Sequence, residues 1–161
     1  MNFNFISKTA LFQGCTEEDI QNMSKKLNFR KLKYKKGNVI FAEGSIVNEI
    51  GLILYGSVQL EHTDIWGNKS TFGIVDAGGI FAEAYACIPN EPMMIDVVSN
   101  ENCEILFISI PKLFNPDLAC SKQHQLIQNL VIICAQKNLH LSKRSLHTSP
   151  KTIRGRLLSY F

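Results

Sequence analysis

The sequence predicts a mainly β domain with flanking helices, followed by one long helix near the C-terminus. Two observations carry the β part. Short apolar segments rich in β-formers recur at roughly 8–12-residue spacing between Phe29 and Ile110, and glycine-bearing turns separate them with no long helix between. A third observation carries the helix: after Pro116 the apolar period switches to helical. A chain of 161 residues has room for one domain with a sizeable core and is too short for two full ones.

The first element is a short helix. Thr16 is placed to cap it, Glu17, Glu18 and Asp19 complement its positive end, and Ile20, Met23 and Leu27 recur at helical spacing. Phe29 to Tyr34 then alternates as a strand does, Lys36-Gly37-Asn38 marks a turn, and Val39 to Phe41 is the next strand. Ile50 to Glu61 carries two apolar runs, Leu52 to Tyr55 and Val58 to Leu60, separated by Gly56-Ser57. Trp66 to Lys69 is a turn leading into Ser70 to Val75, and Ile95 to Val98 and Glu104 to Ile110 are two further apolar strands. Such a series indicates a sandwich or barrel.

The long helix, expected over 118–147, is apolar on more than one narrow stripe, through Leu126, Ile127, Leu130, Val131, Ile133, Cys134 and Leu141. A helix that covers one domain needs a single apolar face. The second face is therefore expected to pack on a twin helix in a homodimer, with Ile127, Leu130, Cys134 and Leu141 as a heptad-like seam that Lys137 interrupts. Ser149 and Pro150 suit a helix start, and Ile153, Leu157, Leu158 and Phe161 then recur at helical spacing. The chain thus divides into 1–117, the N-terminal helix plus β domain; 118–147, the long helix; and 148–161, the start of a further domain.

Charge and composition exclude more than they select. The net charge of +3 argues nothing about partners by itself. The basic run Lys25 to Lys36 reads as a solvated strand edge, although basic clusters also follow phosphate backbones. Five cysteines without a close pair match neither a disulfide framework nor a zinc site, and the four histidines are scattered, so no metal or cofactor is expected. No nucleophile–base pair stands out, and no catalytic residue is assigned. No apolar stretch reaches the roughly 20 residues of a membrane helix, and no secretory signal is recognised, so a cytoplasmic location without a membrane partner is expected.

Lys36-Gly-Asn-Val-Ile-Phe-Ala-Glu-Gly44, followed by Leu52-Ile-Leu-Tyr-Gly-Ser-Val58, resembles the opening motifs of cyclic-nucleotide-binding-type domains. Gly79-Ile-Phe-Ala-Glu83 resembles the start of their phosphate-binding cassette, and Ile153-Arg-Gly-Arg-Leu-Leu158 resembles the entry to the winged helix-turn-helix of Crp/Fnr transcription regulators. The resemblance runs from about Leu11 to Phe161. It implies a double-stranded, jelly-roll-like β-roll, a long dimerisation helix, and a pocket between roll and helix for a small-molecule effector. Effector binding then reorients DNA-binding domains, a two-state element biased by differential affinity. DNA contact would reside in the C-terminal domain beyond these residues. The alternative is a stand-alone module of the same fold that regulates a protein partner.

The cassette departs from that of the cyclic AMP receptors, which carry Gly-Glu at its start and Arg-Ser or Arg-Thr further along. Here the start reads Ala82-Glu83, and the later pair falls on Met93 and Met94. A buried phosphate without those donors loses charge-assisted hydrogen bonds worth about 1.5–3 kcal/mol each, so cyclic AMP is not the expected effector. Met93 and Met94 either reline the pocket for an apolar or aromatic effector or fill a pocket without a ligand. Glu83 either holds a ligand hydroxyl or ties the cassette's own backbone amides. Tyr85 and Cys87 are wall candidates on the cassette helix, and Asn138 or Ser142 is the candidate polar group on the long helix. The effector itself stays unidentified.

Overall fold

The computed structural model describes residues 1–148. The helix expected to begin at Ser149 lies outside the described residues, as does all but the first residue of the 148–161 segment that holds it. Within them the chain folds into two four-stranded antiparallel sheets, with helices at one end.

Helix α1 (Phe3–Ser7) was not anticipated. Helix α2 (Glu17–Lys26) starts where its sequence says it should: the Thr16 hydroxyl accepts from the Asp19 amide, and the Asp19 carboxylate accepts from the Thr16 amide at 2.9 Å. This reciprocal cap satisfies two donors that a helix start otherwise leaves open. The strands follow as β1 (Arg30–Tyr34), β2 (Val39–Phe41), β3 (Glu49–Tyr55), β4 (Ser57–Thr63), β5 (Lys69–Asp76), β6 (Ile80–Phe81), β7 (Asp96–Ser99) and β8 (Cys103–Ser109). One sheet runs β1-β8-β3-β6 and the other β2-β7-β4-β5. The expected β-roll with its long helix is what the chain forms.

β3 and β8 read as continuous apolar runs because both of their faces are covered. Ile50, Leu52, Leu106 and Ile108 face the helical end, where they pack with Ile6, Leu11, Phe12, Ile20, Met23 and Leu27. Their neighbours Ile53, Ile105 and Phe107 point the other way, into the roll, against Val47, Phe81, Met93 and Val97. Strand period two thus sorts one apolar segment into two cores. Inside the roll, Phe41 stands edge-on to Phe81 and Phe107, with centroids 5.9 and 5.7 Å away. Gly51 is required there, since a Cβ at that position would lie 2.2 Å from the Phe81 ring.

The expected strand ending at Ile110 stops one residue earlier. The Ser109 hydroxyl accepts from the Lys112 amide and opens α4 (Ile110–Leu113), with Pro111 in its first turn. The long helix α5 (Gln123–Thr148) starts later than position 118. Pro116–Leu118 forms a single 3-10 turn instead, and Lys122 takes a left-handed conformation just before the helix. The first half of α5 is fastened to the domain. Gln123 Nε2 donates to the Leu113 carbonyl at 2.6 Å, and Asn129 Nδ2 donates to the carbonyls of Leu11 and Gln13 at 2.9 and 2.8 Å.

The basic run of β1 lies along carboxylates of its neighbours. Arg30 forks onto Glu49, and Lys31 and Lys33 reach Glu104 at 3.1 and 3.7 Å. These partners tie β1 to β3 and β8.

Candidate functional site

Between β6 and α3 (Glu83–Cys87) the chain turns sharply at Ala82, which adopts φ +63°, ψ +10°. A residue with a Cβ pays about 1–2 kcal/mol for that left-handed conformation. The surrounding structure holds it: Phe81 on one side is buried in the roll, and the Ala82 carbonyl accepts from the Ala86 amide at 2.9 Å, closing α3. The bend directs Glu83 toward α5.

A cavity of about 460 Å³ lies between this cassette, the inner face of the roll and α5. Leu60, Val75, Met93, Ile95 and Val97 form its roll-side wall, Ile80 to Tyr85 its cassette wall, and Gln136, Lys137, His140 and Leu141 its helix wall. Volumes of roughly 300–1,000 Å³ with mainly apolar walls and a few convergent polar groups are typical of small-molecule sites.

The polar centre of the cavity is an ion pair. Lys137 Nζ lies 2.6 Å from Glu83 Oε1 and donates a second hydrogen bond to the Ile80 carbonyl at 2.8 Å. Glu83 is 8 % exposed, and the Lys137 side chain, 44 % exposed, closes over it from the helix. A carboxylate this buried needs such a partner, because an unpaired charge away from water is strongly unfavourable. One side chain of α5 is therefore bonded at once to a strand carbonyl and to the cassette carboxylate.

Of the residues singled out from sequence, Ala82, Glu83, Tyr85 and Met93 all line the cavity. Three expectations are corrected. Met94 is 67 % exposed and does not line the cavity: the chain bends at Met94 and Ile95 just before β7, while Met93 occupies the wall. Asn138 is exposed and does not line the cavity; one residue along a helix is a rotation of about 100°, and Lys137 holds the inward position. Glu83 pairs with Lys137 rather than with the cassette's own amides.

The residues expected to form a seam with a twin helix instead face their own domain. Leu130 is 2 % exposed within its own chain's core, and Ile127 and Cys134 pack against that same core. Leu141 lines the cavity while remaining 61 % exposed. Positions 127, 130, 134, 137 and 141 are thus the stripe that faces the domain, and Lys137 continues it instead of interrupting it. The apolar residues left exposed on α5 include Val131, Ile132, Leu139 and Leu146. Sequence reasoning missed Lys137 as a site residue because it treated a charge on an apolar stripe as a defect. The buried acidic partner was already in view at Glu83, and pairing the two was the available signal.

The thiols of Cys87 and Cys134 sit near this pair. Burial pushes the Cys87 thiol above its usual range, with Cys134 and Glu83 adding to the effect. Burial likewise raises Cys134, helped by Glu83 and opposed by Lys137. Both are thereby held in the protonated form, which is the weaker nucleophile and metal ligand.

The family model of the cyclic nucleotide-binding domain matches residues 31–115. Human cyclic nucleotide-gated channel beta-1 is 37 % identical over 84 residues, which cover 52 % of this chain and 6 % of the channel. The chain therefore spans only a small part of that relative. Among solved structures, a cyclic nucleotide-binding domain from Methylobacillus flagellatus superposes with a TM-score of 0.72 at 17 % identity, covering 94 % of this chain and 84 % of that one. The catabolite activator protein of Thermus thermophilus superposes at 0.68 with 22 % identity, covering 86 % of this chain and 64 % of that one. Among the described residues no helix is long and apolar enough to cross a membrane. With its roll, cassette and long helix in the family's order, and more than half its length matched, this chain belongs to the cyclic nucleotide-binding domain family.

Proposed function

We propose that the chain is the effector-sensing and dimerisation part of a bacterial Crp/Fnr-type transcription regulator whose pocket takes a small molecule other than cyclic AMP. It acts by binding, not catalysis. One observation carries the ligand reading: the wall position where a cyclic phosphate would need an arginine is the buried thioether of Met93, and the adjacent Met94 faces solvent. Neither offers a donor to a phosphate oxygen. Among the described residues the one ammonium at the cavity is that of Lys137, already engaged by Glu83 and Ile80.

The dimer forms through the outer face of α5. Ile132, Ala135, Leu139, Ser142 and Leu146 follow heptad spacing, and all five are exposed in the single chain. Two such faces from twin chains bury each other's apolar side chains in a left-handed coiled coil. Lys137, on the opposite stripe, links the cassette to that helix, so occupancy of the cavity is felt where the twin helices meet. DNA contact belongs to a domain beyond the described residues.

The test is thermal unfolding with and without millimolar cyclic AMP. A ligand present at 100 times its dissociation constant stabilises a folded protein by about 2.7 kcal/mol, a shift of several degrees in a domain of this size. No shift is expected. A saturable rise would overturn the ligand reading.

A further inference from the structure

We infer that the cavity selects an electrically uncharged, largely apolar molecule carrying one hydrogen-bond-accepting group. This rests on the reading of the cavity as the effector site and goes beyond the exclusion of cyclic AMP, because it concerns every charged ligand.

The argument is one of charge complementarity. Among the described lining residues there is one carboxylate, Glu83, and one ammonium, Lys137. They lie 2.6 Å apart and cancel. The remaining walls are mainly aliphatic, aromatic or thioether surface, with Leu60, Val75, Phe81, Met93, Ile95 and Val97 prominent. An anionic ligand entering this space meets the Glu83 carboxylate, and the one cation within reach is already neutralised. Drawing Lys137 away would leave a carboxylate that is 8 % exposed without its charge partner, which is unfavourable for a charge held away from water. A cationic ligand faces the converse problem: to reach Glu83 it must expel Lys137 and leave the Ile80 carbonyl without its donor.

An uncharged ligand disturbs neither contact. An ammonium has three N–H donors, and Lys137 commits two of them to Glu83 and Ile80. The third, with the Tyr85 hydroxyl, the Gln136 amide and the His140 ring at the same cavity, serves a hydroxyl or carbonyl on the ligand. The apolar body fills the roll-side wall. The pair is thus an internal counter-charge that stands where other ligands would bring their own.

Three probes with one ring system separate the possibilities: 2-naphthylmethanol, 2-naphthoate and 2-naphthylmethylamine, titrated against the full chain at pH 8 with thermal unfolding and calorimetry as readouts. The alcohol is expected to raise the midpoint saturably, with both charged probes at least about tenfold weaker. Glu83→Gln keeps the shape and an acceptor for Lys137 but removes the negative charge, and should shift the preference toward naphthoate over the alcohol by about tenfold or more. Lys137→Gln should favour the amine in the same way and serves if the first variant folds poorly. A wild-type preference for naphthoate or the amine, or charge variants that do not redirect the preference, would overturn the inference while keeping the cavity as a site. Failure of all three probes to bind would overturn the cavity reading itself, and this proposal with it.

Discussion

The two halves of α5 differ in how they are held, although both continue one helix. Up to Cys134 the inward stripe is joined to the domain by many contacts: Leu126 and Leu130 in the helical-end core, Ile127, Ile133 and Cys134 against it, Gln123 hydrogen-bonded to the last carbonyl of α4 and Asn129 to the carbonyls of Leu11 and Gln13. From Ala135 onward every residue whose exposure is described is exposed, and the tie to the cassette is the Lys137 pair. The first half is therefore part of the core. The second half is exposed, and its Lys137 is bonded to the cassette beside the cavity. Elements with few buried contacts are those that open or shift at low free-energy cost.

That contrast can be broken in steps. The largest effect is expected from Leu130→Ala, which removes fully packed atoms from the core and should lower stability by about 3 kcal/mol in urea unfolding. A change under 1 kcal/mol would mean that the first half is not welded as described. Asn129→Ala leaves the Leu11 and Gln13 carbonyls without their donor and should cost about 1–3 kcal/mol by the same measurement. In the second half, Leu139→Glu should leave the helical circular dichroism intact yet weaken self-association by at least about tenfold in sedimentation, or about 1.4 kcal/mol. If it self-associates as tightly as the parent, the outer face is not the dimer seam. The smallest effect is a gain: Ala82→Gly relieves a left-handed strain of about 1–2 kcal/mol but adds chain entropy of about 0.5–1 kcal/mol, a net stabilisation near 0.5 kcal/mol. A loss of stability there would show that Ala82 contributes packing that outweighs its strain.

Much of the fold was legible because its signals are local. The Thr16 to Asp19 cap, the Trp66 to Lys69 turn and the strand alternation each involve residues close in sequence, whose geometry follows from backbone sterics and short-range hydrogen bonds. The turn even shows its mechanism: Asp64 accepts from the amides of Trp66 and Asn68, while Gly67 takes the positive φ. The site was half legible. Ala82, Glu83, Tyr85 and Met93 came from a motif and landed at the cavity. Met94 and Asn138 missed it by one position each, where a bend in the chain before β7 or a helix's rotation decides which neighbour faces in.

By itself the sequence determined the class of the fold, the place of the cassette and the presence of a long helix with more apolar surface than one face requires. Period and turn chemistry write these into adjacent residues. Only the tertiary structure decided which stripe of that helix its own domain claims, and that Lys137 on the claimed stripe neutralises Glu83. Both facts depend on where a core from the first 30 residues and a cassette turn come to lie against residues more than 50 positions further along the chain. No local period encodes that distance. It follows from how the two sheets close and how much of the helix they can cover.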